Sequence, residues 1–457
     1  MAGDNPLTTG SDDVVDILRG LVEGKTDAYE MYLSTSKGFS VEAKDGAVDA
    51  FKARSGRGVG LRTINGGRLG FGFSTVLTRE ALSEMVAAAL EAGGFADPDR
   101  FLAFPSPSGG PGGVGGDGLG IFDPGYEAAT EDEKIALAVD IERSAMAGDA
   151  RVKRVRKASY GETFSGTRIV NSNGVDIESS ATYFTGSVTA VAEEGDESQM
   201  GWEMVTSHAR SAIDPAFIGE SAAERATSLL GGRNIKTVRC PAVIENTVVC
   251  ELLDTLSTSF LGDNVAKGKS MLMDKLGSKV ASSALDVWDD GVLRGGWATS
   301  PFDGEGSPRA RTALLARGEC AAFLYDTYWA RRSGAAPTGN AVRHGYKGLP
   351  SVGISNLYID KGETGLDGLF REMDRGLFIT EVLGAHMINA ISGDFSLGAS
   401  GFWVEGGVKA YPARGMAISG NLLDLFARVD RCGSDIRFIG SIGAPSLLVS
   451  EIEASGT

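Results

Sequence analysis

Histidine is the side chain that most directly marks a metal site or an acid–base site, and this chain has three, at His208, His344 and His386. No two of them are close enough in sequence to form the H-E-x-x-H pair of a helical zinc site. A site assembled by folding from His344, His386 and a cysteine stays open, because metal ligands need not be sequence neighbours. A hydrogen-bonded structural role is the more common one for a lone histidine.

The four cysteines lie far apart, at Cys240, Cys250, Cys320 and Cys432. None forms a C-x-x-C pair, so the spacing indicates neither a zinc ribbon nor a thioredoxin-like motif. Scattered cysteines in a chain of this length are typical of reduced thiols in a cytoplasm. The chain has no G-x-S-x-G nucleophile motif, and no local signature favours a Ser-His-Asp or Cys-His arrangement.

Acidic side chains lie close together at two places where a carboxylate pair could do acid–base chemistry. Glu251 and Asp254 are three residues apart on a predicted helix, and Asp303 and Glu305 lie in a glycine-rich turn. Carboxylates act as an acid–base pair only when they are buried together. In both places the pattern favours solvated surface carboxylates.

The segment Gly268-Lys269-Ser270 looks like the end of a phosphate-binding loop, but its surroundings argue against one. The motif needs a glycine five residues before Gly268, and that residue is Asp263. An acidic side chain there would face the phosphates that the loop has to bind. We therefore predict a solvated loop rather than a nucleotide site.

Composition limits the partners of the chain. Its 457 residues include 60 acidic and 44 basic ones, for a net charge of −16. Such a surface repels nucleic-acid phosphates and anionic lipids, so we expect neither direct nucleic-acid binding nor membrane docking. No window approaches the ~20 apolar residues of a membrane span, and residues 1–10 lack the features of a secretory signal. We expect a cytoplasmic protein.

Apolar periodicity and capping residues predict the elements that must position these side chains. The predicted helices are 12–22 capped by Ser11, 79–92 capped by Thr78, a helix to 147 opened by a Thr130–Glu133 capping box, 215–230, 247–257 and 366–375. Asn65-Gly66-Gly67 and Asn173-Gly174 predict hairpins, because both residue types tolerate a positive φ. A further turn is predicted at Lys37-Gly38, between two short alternating strands.

The pattern as a whole predicts an α+β fold, with N-terminal α/β domains that contain antiparallel hairpins and a strand-rich, mostly β C-terminal domain. Residues 106–120 are almost only Pro, Gly, Ser and Asp, which predicts a linker or loop. We therefore expect a first domain at 1–105, a middle domain at 121–232 and the C-terminal domain at 233–457.

Several long motifs of the C-terminal half are distinctive. They are LGSKVAS (276–282), WDDG (288–291), SPFDGEG (300–306), YDTYWAR (325–331), PTGNA (337–341), ISGDFSLGASGFWV (391–404) and ISGNL (418–422). These motifs resemble the TldD/PmbA family, whose members are described as metalloproteases and as modulators of DNA gyrase. The hairpin between Arg57 and Ser74 resembles the first domain of the same family.

The resemblance implies a cytosolic peptidase of two related subunits. In the family, the TldD type holds a catalytic metal with an H-E-x-x-x-H motif and a distant cysteine, whereas the PmbA type, also called TldE, lacks them. The motif falls here on residues 250–255, so that only Glu251 remains, and Cys250 and Thr255 occupy the two histidine positions. The distant cysteine is expected within 435–448, where this sequence has none. Without a metal to polarise water, Glu251 has no water to deprotonate.

The resemblance therefore implies a non-catalytic PmbA/TldE-type subunit of a heterodimeric metalloprotease that acts on peptides or unfolded proteins. No cofactor is expected in this chain, and a divalent metal, zinc, is expected in a TldD-type partner. Whether the isolated chain forms a homodimer stays an open question. We expect Gly339, Asn340, Gly393 and Asp394 to line a cleft for the substrate, with tight turns as their alternative role.

Two other functions stay open at this point. The first is an independently active metallopeptidase whose site is rebuilt from Cys250, Glu251 and a histidine from elsewhere. The second is a non-proteolytic regulator of DNA gyrase. The acidic composition of the chain disfavours direct contact with DNA, so such a regulator would act on the gyrase protein.

Overall fold

The computed structural model describes residues 10–107 and 118–456. Most of the predicted linker at 106–120 and nearly all of residues 1–10 lie outside the described residues. The domain boundaries predicted from the sequence stay predictions.

Six long strands form an N-terminal antiparallel sheet in the order β3-β2-β1-β4-β5-β6. The strands are β1 (Ala28–Lys44), β2 (Ala47–Asn65), β3 (Arg68–Ser74), β4 (Val152–Asn171), β5 (Asp176–Glu194) and β6 (Glu197–Ser207). Because β1 pairs with β4, residues on both sides of the predicted linker share this sheet.

Helices cover one face of the N-terminal sheet. They are α1 (Ser11–Val22), α2 (Arg79–Phe95), α3 (Glu131–Gly148) and α4 (Pro215–Ser228). Alternation along β1 places Met31 and Leu33 in the core beneath α1 and α2. Tyr32 consequently lies on the opposite face, where it packs with Ile169 of β4 and with Phe302 of the C-terminal half. The sheet therefore joins the two halves of the chain.

The turn predicted at Lys37-Gly38 is wrong. Lys37 and Gly38 lie within the uninterrupted strand β1, paired with Ser55 and Arg54 on one side and with Phe164 and Thr163 on the other. A Cβ atom at position 38 would come within 3.3 Å of the Thr163 hydroxyl oxygen. This close approach gives a reason for glycine at position 38 within a strand. The alternation pattern could not distinguish such a glycine from one in a turn.

The other local predictions agree with the structure in most details. The hairpin of β2 and β3 turns through Gly66 and Gly67, both with positive φ. Thr78 caps α2, and the Thr130–Glu133 capping box opens α3. The prediction for Ser11 was wrong, because Gly10 is the N-cap residue and makes no side-chain cap.

The C-terminal half is built on a seven-stranded sheet that closes on itself. Its order is β18-β21-β8-β15-β16-β17-β7, and β17 also pairs with β21, so the strands from β21 to β17 form a barrel. These strands are β7 (Arg233–Asn234), β8 (Val238–Ile244), β15 (Gly376–Leu383), β16 (Asp394–Glu405), β17 (Val408–Asn421), β18 (Val429–Cys432) and β21 (Leu447–Ser455).

A smaller six-stranded sheet and a two-stranded ladder lie beside the barrel. Their strands are β9 (Val287–Asp290), β10 (Arg311–Ala316), β11 (Glu319–Cys320), β14 (Leu357–Ile359), β19 (Arg437–Ile439) and β20 (Ile442–Ala444), with the ladder of β12 (Ala341–Val342) and β13 (Ser351–Val352). The helices of this half are α5 (Asn246–Ser257), α6 (Gly262–Ala266), α7 (Thr327–Ser333), α8 (Leu366–Met373) and α9 (Leu422–Ala427). One apolar core runs from the barrel through α5 into the smaller sheet. The fold is α+β with a strand-rich C-terminal half, as the sequence predicts.

Across residues 10–107 and 118–456, every helix is too short or too polar to span a lipid bilayer.

Candidate functional site

Helix α5 carries the three positions at which the resemblance places the altered metal motif. Val248, Leu252 and Leu256 form its buried face, and the helix contacts β15, β19 and β20. At its first turn, the side-chain amide of Asn246 donates to the backbone carbonyl of Asp435 at 2.9 Å. The helix is therefore fixed against the C-terminal loop in which the distant metal cysteine of the family is expected.

Cys250, at the first histidine position, is a buried thiol with 3% of its surface exposed. Its Sγ lies 3.6 Å from the carbonyl oxygens of both Arg437 and Ile442, so the thiol donates to backbone rather than facing a ligand. Burial raises the pKa of Cys250 to about 12. The thiolate form, which binds metals, is therefore strongly disfavoured.

Glu251 and Thr255 are half-buried on the same helix. Burial, followed by the negative charge of Glu381 on β15, raises the pKa of Glu251. The carbonyl oxygen of Thr255 accepts the hydroxyl of Thr258 at 3.0 Å, a contact within the end of the helix. Glu251 therefore has another carboxylate, not a cation, as its charged neighbour.

The loop at 435–448 is held by a side chain of its own. The two carboxylate oxygens of Asp435 accept the backbone N–H of Ser446 at 3.0 Å and its hydroxyl at 2.7 Å. Ser446 is fully buried. Asp435 and Ser446 therefore hold this loop together, and Asn246 bonds both of them to α5, at the place where the resemblance puts a metal ligand.

The donors on α5 do not fit a zinc ion. A catalytic zinc takes three nitrogen, thiolate or carboxylate ligands and a water, whereas the three positions of the altered motif offer a protonated thiol, one carboxylate and a hydroxyl. Among the described residues, no three His, Cys, Asp or Glu side chains converge as a metal site. The alternative site of His344, His386 and a cysteine is likewise not assembled within the described part of the chain.

The remaining histidine, His208, is a structural residue. Its two ring nitrogens lie 2.6 Å from the carbonyl oxygen of Thr182 and 3.0 Å from that of Gly296. Its ring packs at 4.9 Å, centroid to centroid, against Tyr183. These contacts tie the N-terminal sheet to the C-terminal half.

A groove of about 320 Å³ lies next to α5, between β6 and α4 on one side and β15, β16 and β17 on the other. We call it the interlayer groove. Its apolar walls include Phe217, Phe378 and Phe402, and Glu381 lies on its floor beside Thr380. Glu381 lines this groove, and its charge also acts on Glu251.

Paired charges also line the interlayer groove. Arg225 holds Glu245 with two hydrogen bonds of 3.0 Å, and Arg437 is paired with the buried Glu203. Arg225 and Glu245 join α4 to the start of α5, and Arg437 and Glu203 join β19 to β6. The groove therefore combines apolar contacts with two ion pairs, and Glu381 and Lys409 also line it.

Gly339 and Asn340, predicted to line a cleft, are buried between the smaller sheet and the loop before it. The side-chain amide of Asn340 donates to Asp289 at 2.7 Å and to the carbonyl of Gly353 at 3.1 Å. Gly339 has φ +75°, and a Cβ there would come within 2.3 Å of the carbonyl oxygen of Pro308. These contacts describe structural positions, and a role in substrate binding stays a prediction.

Gly393 and Asp394 lie at the start of β16, in a turn that shares no contact residue with Gly339 and Asn340. Gly393 has φ +82°, and exposed Asp394 accepts the Asn421 amide at 2.9 Å and the Ser392 hydroxyl at 2.7 Å. These two hydrogen bonds lower the pKa of Asp394. The structure therefore does not bring the two predicted pairs together into one cleft.

The prediction that Asp303 and Glu305 are solvated is wrong, because they are 3% and 2% exposed. Asp303 accepts the backbone N–H groups of Glu305, Ser307 and Ala341 at 2.9 to 3.0 Å. Burial, followed by the charge of Glu305, raises the pKa of Asp303 to about 7. The turn is folded inward against the N-terminal sheet, which a local sequence pattern could not reveal.

Glu305 belongs to a buried ionic cluster, formed with Glu30, Arg62 and Arg343, between the two halves of the chain. Arg62 donates to Glu30 at 2.6 and 2.9 Å and to Glu305 at 3.1 Å. Arg343 is paired with Glu30, and the side chains of Arg343 and Glu30 are 1% and 0% exposed. The only sequence signal was a charged residue among the apolar ones of β1 and β2, at Glu30 and Arg62.

Family models match three successive parts of the chain. Models of the PmbA/TldA metallopeptidase family match its domain 1 at residues 29–93, its central domain at 125–230 and its C-terminal domain at 237–456.

Individual relatives match along nearly the full chain. A protein named metalloprotease PmbA from Escherichia coli O157:H7 is 29% identical over 445 residues, covering 95% of this chain and 94% of the relative. A metalloprotease TldD homolog from Haemophilus influenzae is 22% identical and covers 99% of this chain and 98% of the relative.

Solved structures share the fold. The crystal structure of a proposed modulator of a DNA gyrase from Thermotoga maritima has a TM-score of 0.89 and 28% identity, covering 97% of this chain and 100% of that one. The structure of TldE from Thermococcus kodakarensis has a TM-score of 0.86 with the same coverage. At 22% identity, this second likeness shows the fold alone.

Proposed function

This chain belongs to the PmbA/TldD metallopeptidase family, and we propose that it is the PmbA/TldE-type, non-catalytic subunit of a cytosolic heterodimeric metalloprotease. The complex acts on peptides or unfolded proteins. Its divalent metal, zinc, is held by the TldD-type partner. The relatives named metalloprotease PmbA and metalloprotease TldD support this division into two types.

The donor set of α5 is the observation that carries the proposal. Cys250 is a buried, protonated thiol, Thr255 offers a hydroxyl, and Glu251 has Glu381 as its charged neighbour. A general base of this kind deprotonates water only when a metal has lowered the pKa of that water. Glu251 is therefore a helix residue without a catalytic role in our proposal.

The interlayer groove supports a role in handling extended chains. Exposed Phe217 of α4 lies on one side of the groove, and the mostly buried Phe378 and Phe402, covered by Lys409, lie on the other. The groove thus offers apolar contacts that do not depend on one particular sequence. Recognition of an unfolded segment depends on such tolerant surfaces together with backbone pairing. We propose that this groove, rather than α5 itself, receives a segment of the substrate or of the partner.

Cleavage and metal content of the separate and combined subunits test the proposal. The chain is purified alone and together with its TldD-type partner, each is incubated with an unfolded peptide, and bound metal is measured by elemental mass spectrometry. We expect cleavage and stoichiometric metal only when the partner is present. Metal-dependent cleavage by the lone chain would refute the proposal.

Matched glutamate variants make this test specific. Glu251→Gln in this chain should leave the rate of the complex within about twofold, since the glutamate acts on no water. The same change at the glutamate of the partner's H-E-x-x-x-H motif should abolish cleavage. A complex that loses activity through Glu251→Gln alone would point to the independently active metallopeptidase with a rebuilt site.

A non-proteolytic regulator of DNA gyrase is the second candidate, favoured by the description given to the relative from Thermotoga maritima. It predicts salt-dependent binding of this chain to purified gyrase and no cleavage in any combination of subunits. Cleavage by the complex without gyrase binding would exclude it.

A further inference from the structure

A second cavity, of about 160 Å³, lies between the N-terminal sheet and the C-terminal half. One wall is the face of the sheet that carries Tyr32, Thr167 and Tyr183, and the other is formed by residues 299–309 and 341–343. On the same measure a single water needs roughly 10–15 Å³, so the cavity has room for a small ligand. It is separate from α5 and from the interlayer groove.

Arg309 lines this cavity and forms no ion pair within residues 10–107 and 118–456. Its guanidinium makes a single hydrogen bond, from Nε to the carbonyl of Phe302 at 3.4 Å, and its buried Nη1 has no partner among the described residues. Burial lowers the pKa of Arg309, although the charges of Asp303 and Asp289 act in the opposite direction. A buried cation of this kind is costly unless an anion accompanies it.

Arg343 lines the same cavity and also has a free donor. Its Nη2 is paired with Glu30 and its Nε donates to the carbonyl of Gly304 at 2.8 Å, but its buried Nη1 has no partner among the described residues. Two guanidinium groups with unused N–H donors therefore border one small cavity. Planar guanidinium forks match phosphate and carboxylate oxygens.

The carboxylates nearby are already engaged. Glu30 and Glu305 are held by Arg62 and Arg343 within the buried ionic cluster. Asp303, the carboxylate on the cavity wall, uses both of its oxygens to accept backbone N–H groups. Burial and Glu305 raise its pKa to about 7, so its charge is weakened near neutral pH. The charges of Asp303 and Asp289 still act on Arg309, but neither carboxylate forms an ion pair with it among the described residues.

Hydroxyl groups complete the lining. Ser165 and Thr167 of β4 and Ser179 of β5 project from the sheet, and Ser300 lies on the opposite wall. Hydroxyls and guanidinium donors together can surround an oxyanion with hydrogen bonds from several directions. Such a lining suits a charged oxygen ligand better than an apolar one.

We propose that this cavity is a binding site for a small oxyanion, either inorganic phosphate or a carboxylate such as the C-terminus of a peptide, held by Arg309 and Arg343. The proposal goes beyond the function proposed above and needs no partner subunit. The site would belong to this chain alone, at the junction of its two halves.

Calorimetric titration of the lone chain tests the proposal. Inorganic phosphate is one arm, and a short peptide with a free C-terminal carboxylate, compared with its C-terminal amide, is the other. We expect one site with a dissociation constant below about 1 mM in at least one arm, and the arm that binds identifies the source of the oxyanion. No saturable binding in either arm would overturn the proposal.

Arg309→Met tests whether the binding occurs in this cavity. The variant keeps an apolar stem and removes the unpaired charge, so its melting temperature without ligand should equal or exceed that of the unchanged chain. Its affinity should fall at least tenfold, and the rise in melting temperature that the ligand causes should disappear. Arg54→Met, at an exposed position of β2, is the control and should bind normally.

Two outcomes of the variant experiment would count against the site. One is equal affinity of Arg309→Met and the unchanged chain. The other is a ligand-independent fall in stability with affinity retained, which indicates a structural arginine only. If Arg309→Met does not fold, Arg309→Lys keeps the charge without the guanidinium fork and should still weaken binding at least tenfold.

Discussion

Cys250 is the residue at which the poor fit of α5 to a metal ion can be traced to a single chemical property. Its thiol donates to two backbone carbonyls and its pKa is about 12 because it is buried. A zinc ligand in the same position would have to be ionised and turned toward the metal. The side chain therefore serves the packing of α5.

We predict that Cys250 resists alkylation in the folded protein. Iodoacetamide reacts with the thiolate, so modification of Cys250 should follow unfolding, whereas the half-buried Cys240 should react earlier. The measurement is time-resolved peptide mass spectrometry in native buffer and in urea. Equal rates for the two thiols in native buffer would contradict the buried environment of Cys250.

The corresponding variant, Cys250→Ser, separates the proposed function from its rival. A serine hydroxyl can donate to the same carbonyls, so cleavage by the complex should stay within about twofold of the unchanged rate. A rebuilt catalytic site that uses the thiol would lose its activity.

Asn340 is a second residue whose role the structure makes testable. Its amide donates to Asp289, whose pKa is raised by burial. The change Asn340→Asp would place a second buried carboxylate beside Asp289. We predict that it lowers the free energy of unfolding by about 3 kcal/mol at pH 7. Because both acids would then have raised pKa values, the loss should shrink as the pH is lowered. Urea denaturation followed by fluorescence measures it.

Asn421→Asp is the matched control for this prediction. Asn421 also donates to a carboxylate, Asp394, at 2.9 Å, but at an exposed position. The same change there should cost less than about 1 kcal/mol, because solvent screens the repulsion. Similar costs at the two positions would show that burial does not decide the effect.

Helix α7 shows how a short element is bound to the buried ionic cluster. Its N-cap residue, Asp326, accepts the backbone N–H of Trp329 at 2.7 Å, and the next N–H, of Thr327, donates to Glu305 at 3.0 Å. Burial, followed by the charge of Glu305, raises the pKa of Asp326 to about 6. The carboxyl groups of Asp326 and Glu305 are therefore close together at the start of α7, where water solvates them poorly.

We predict that Asp326→Asn raises the free energy of unfolding relative to the unchanged chain, and that this gain is larger at neutral pH than at pH 4. The folded pKa of about 6 lies above the ordinary aspartate value of ~3.9, so the group stabilises the fold below pH 4 and loses this contribution as the pH rises through 6. Asparagine caps equally well and does not ionise. The difference in unfolding free energy should grow by about 2–3 kcal/mol from pH 4 to pH 7.

Denaturation curves at several pH values measure this difference. Asp326→Ser, another non-ionising cap, is the control and should show the same dependence on pH. Parallel curves for Asp326→Asn and the unchanged chain would contradict the raised pKa.

At the scale of the whole molecule, the buried ionic cluster joins the N-terminal sheet to the C-terminal half. Arg62 of β2 contacts Glu305, which follows it by 243 residues in sequence. Such a pair adds specificity to the docking of the two halves only while every charge keeps its partner. The neighbouring cavity, with its unpaired Arg309, lies at the same junction.

We predict that Arg62→Met lowers the free energy of unfolding by about 3–5 kcal/mol, because Glu305 and part of Glu30 remain buried without their cation. Adding Glu305→Gln should recover part of the loss, since a neutral amide needs no counter-charge. Chemical denaturation of the single and double variants measures both effects. Arg19→Met, which removes an exposed pair with Asp16, should cost no more than about 0.5 kcal/mol. A loss below 1 kcal/mol for Arg62→Met would contradict the role of the cluster.

Local interactions explain why much of the fold could be predicted. Thr78, Thr130 and Glu133 mark helix starts because their side chains bond backbone N–H groups within three residues. Gly66 and Gly67 mark a hairpin because few other residues adopt its backbone angles. The alternating pattern of β1 depends on its own residues and could be predicted. Its continuity through Lys37-Gly38 depends on the neighbouring strands β2 and β4.

The sequence by itself determined the family resemblance, the α+β class and the absence of histidines from positions 250 and 255, because these depend on residue types and short-range periodicity. Only the tertiary structure decided that Asp303 and Glu305 are buried and that the charge of Glu381 acts on Glu251. It alone also showed that Arg309 borders a cavity and has an Nη1 without a partner among the described residues. Burial and electrostatic pairing depend on residues that are distant in sequence. They are defined only when the chain has brought its two halves together.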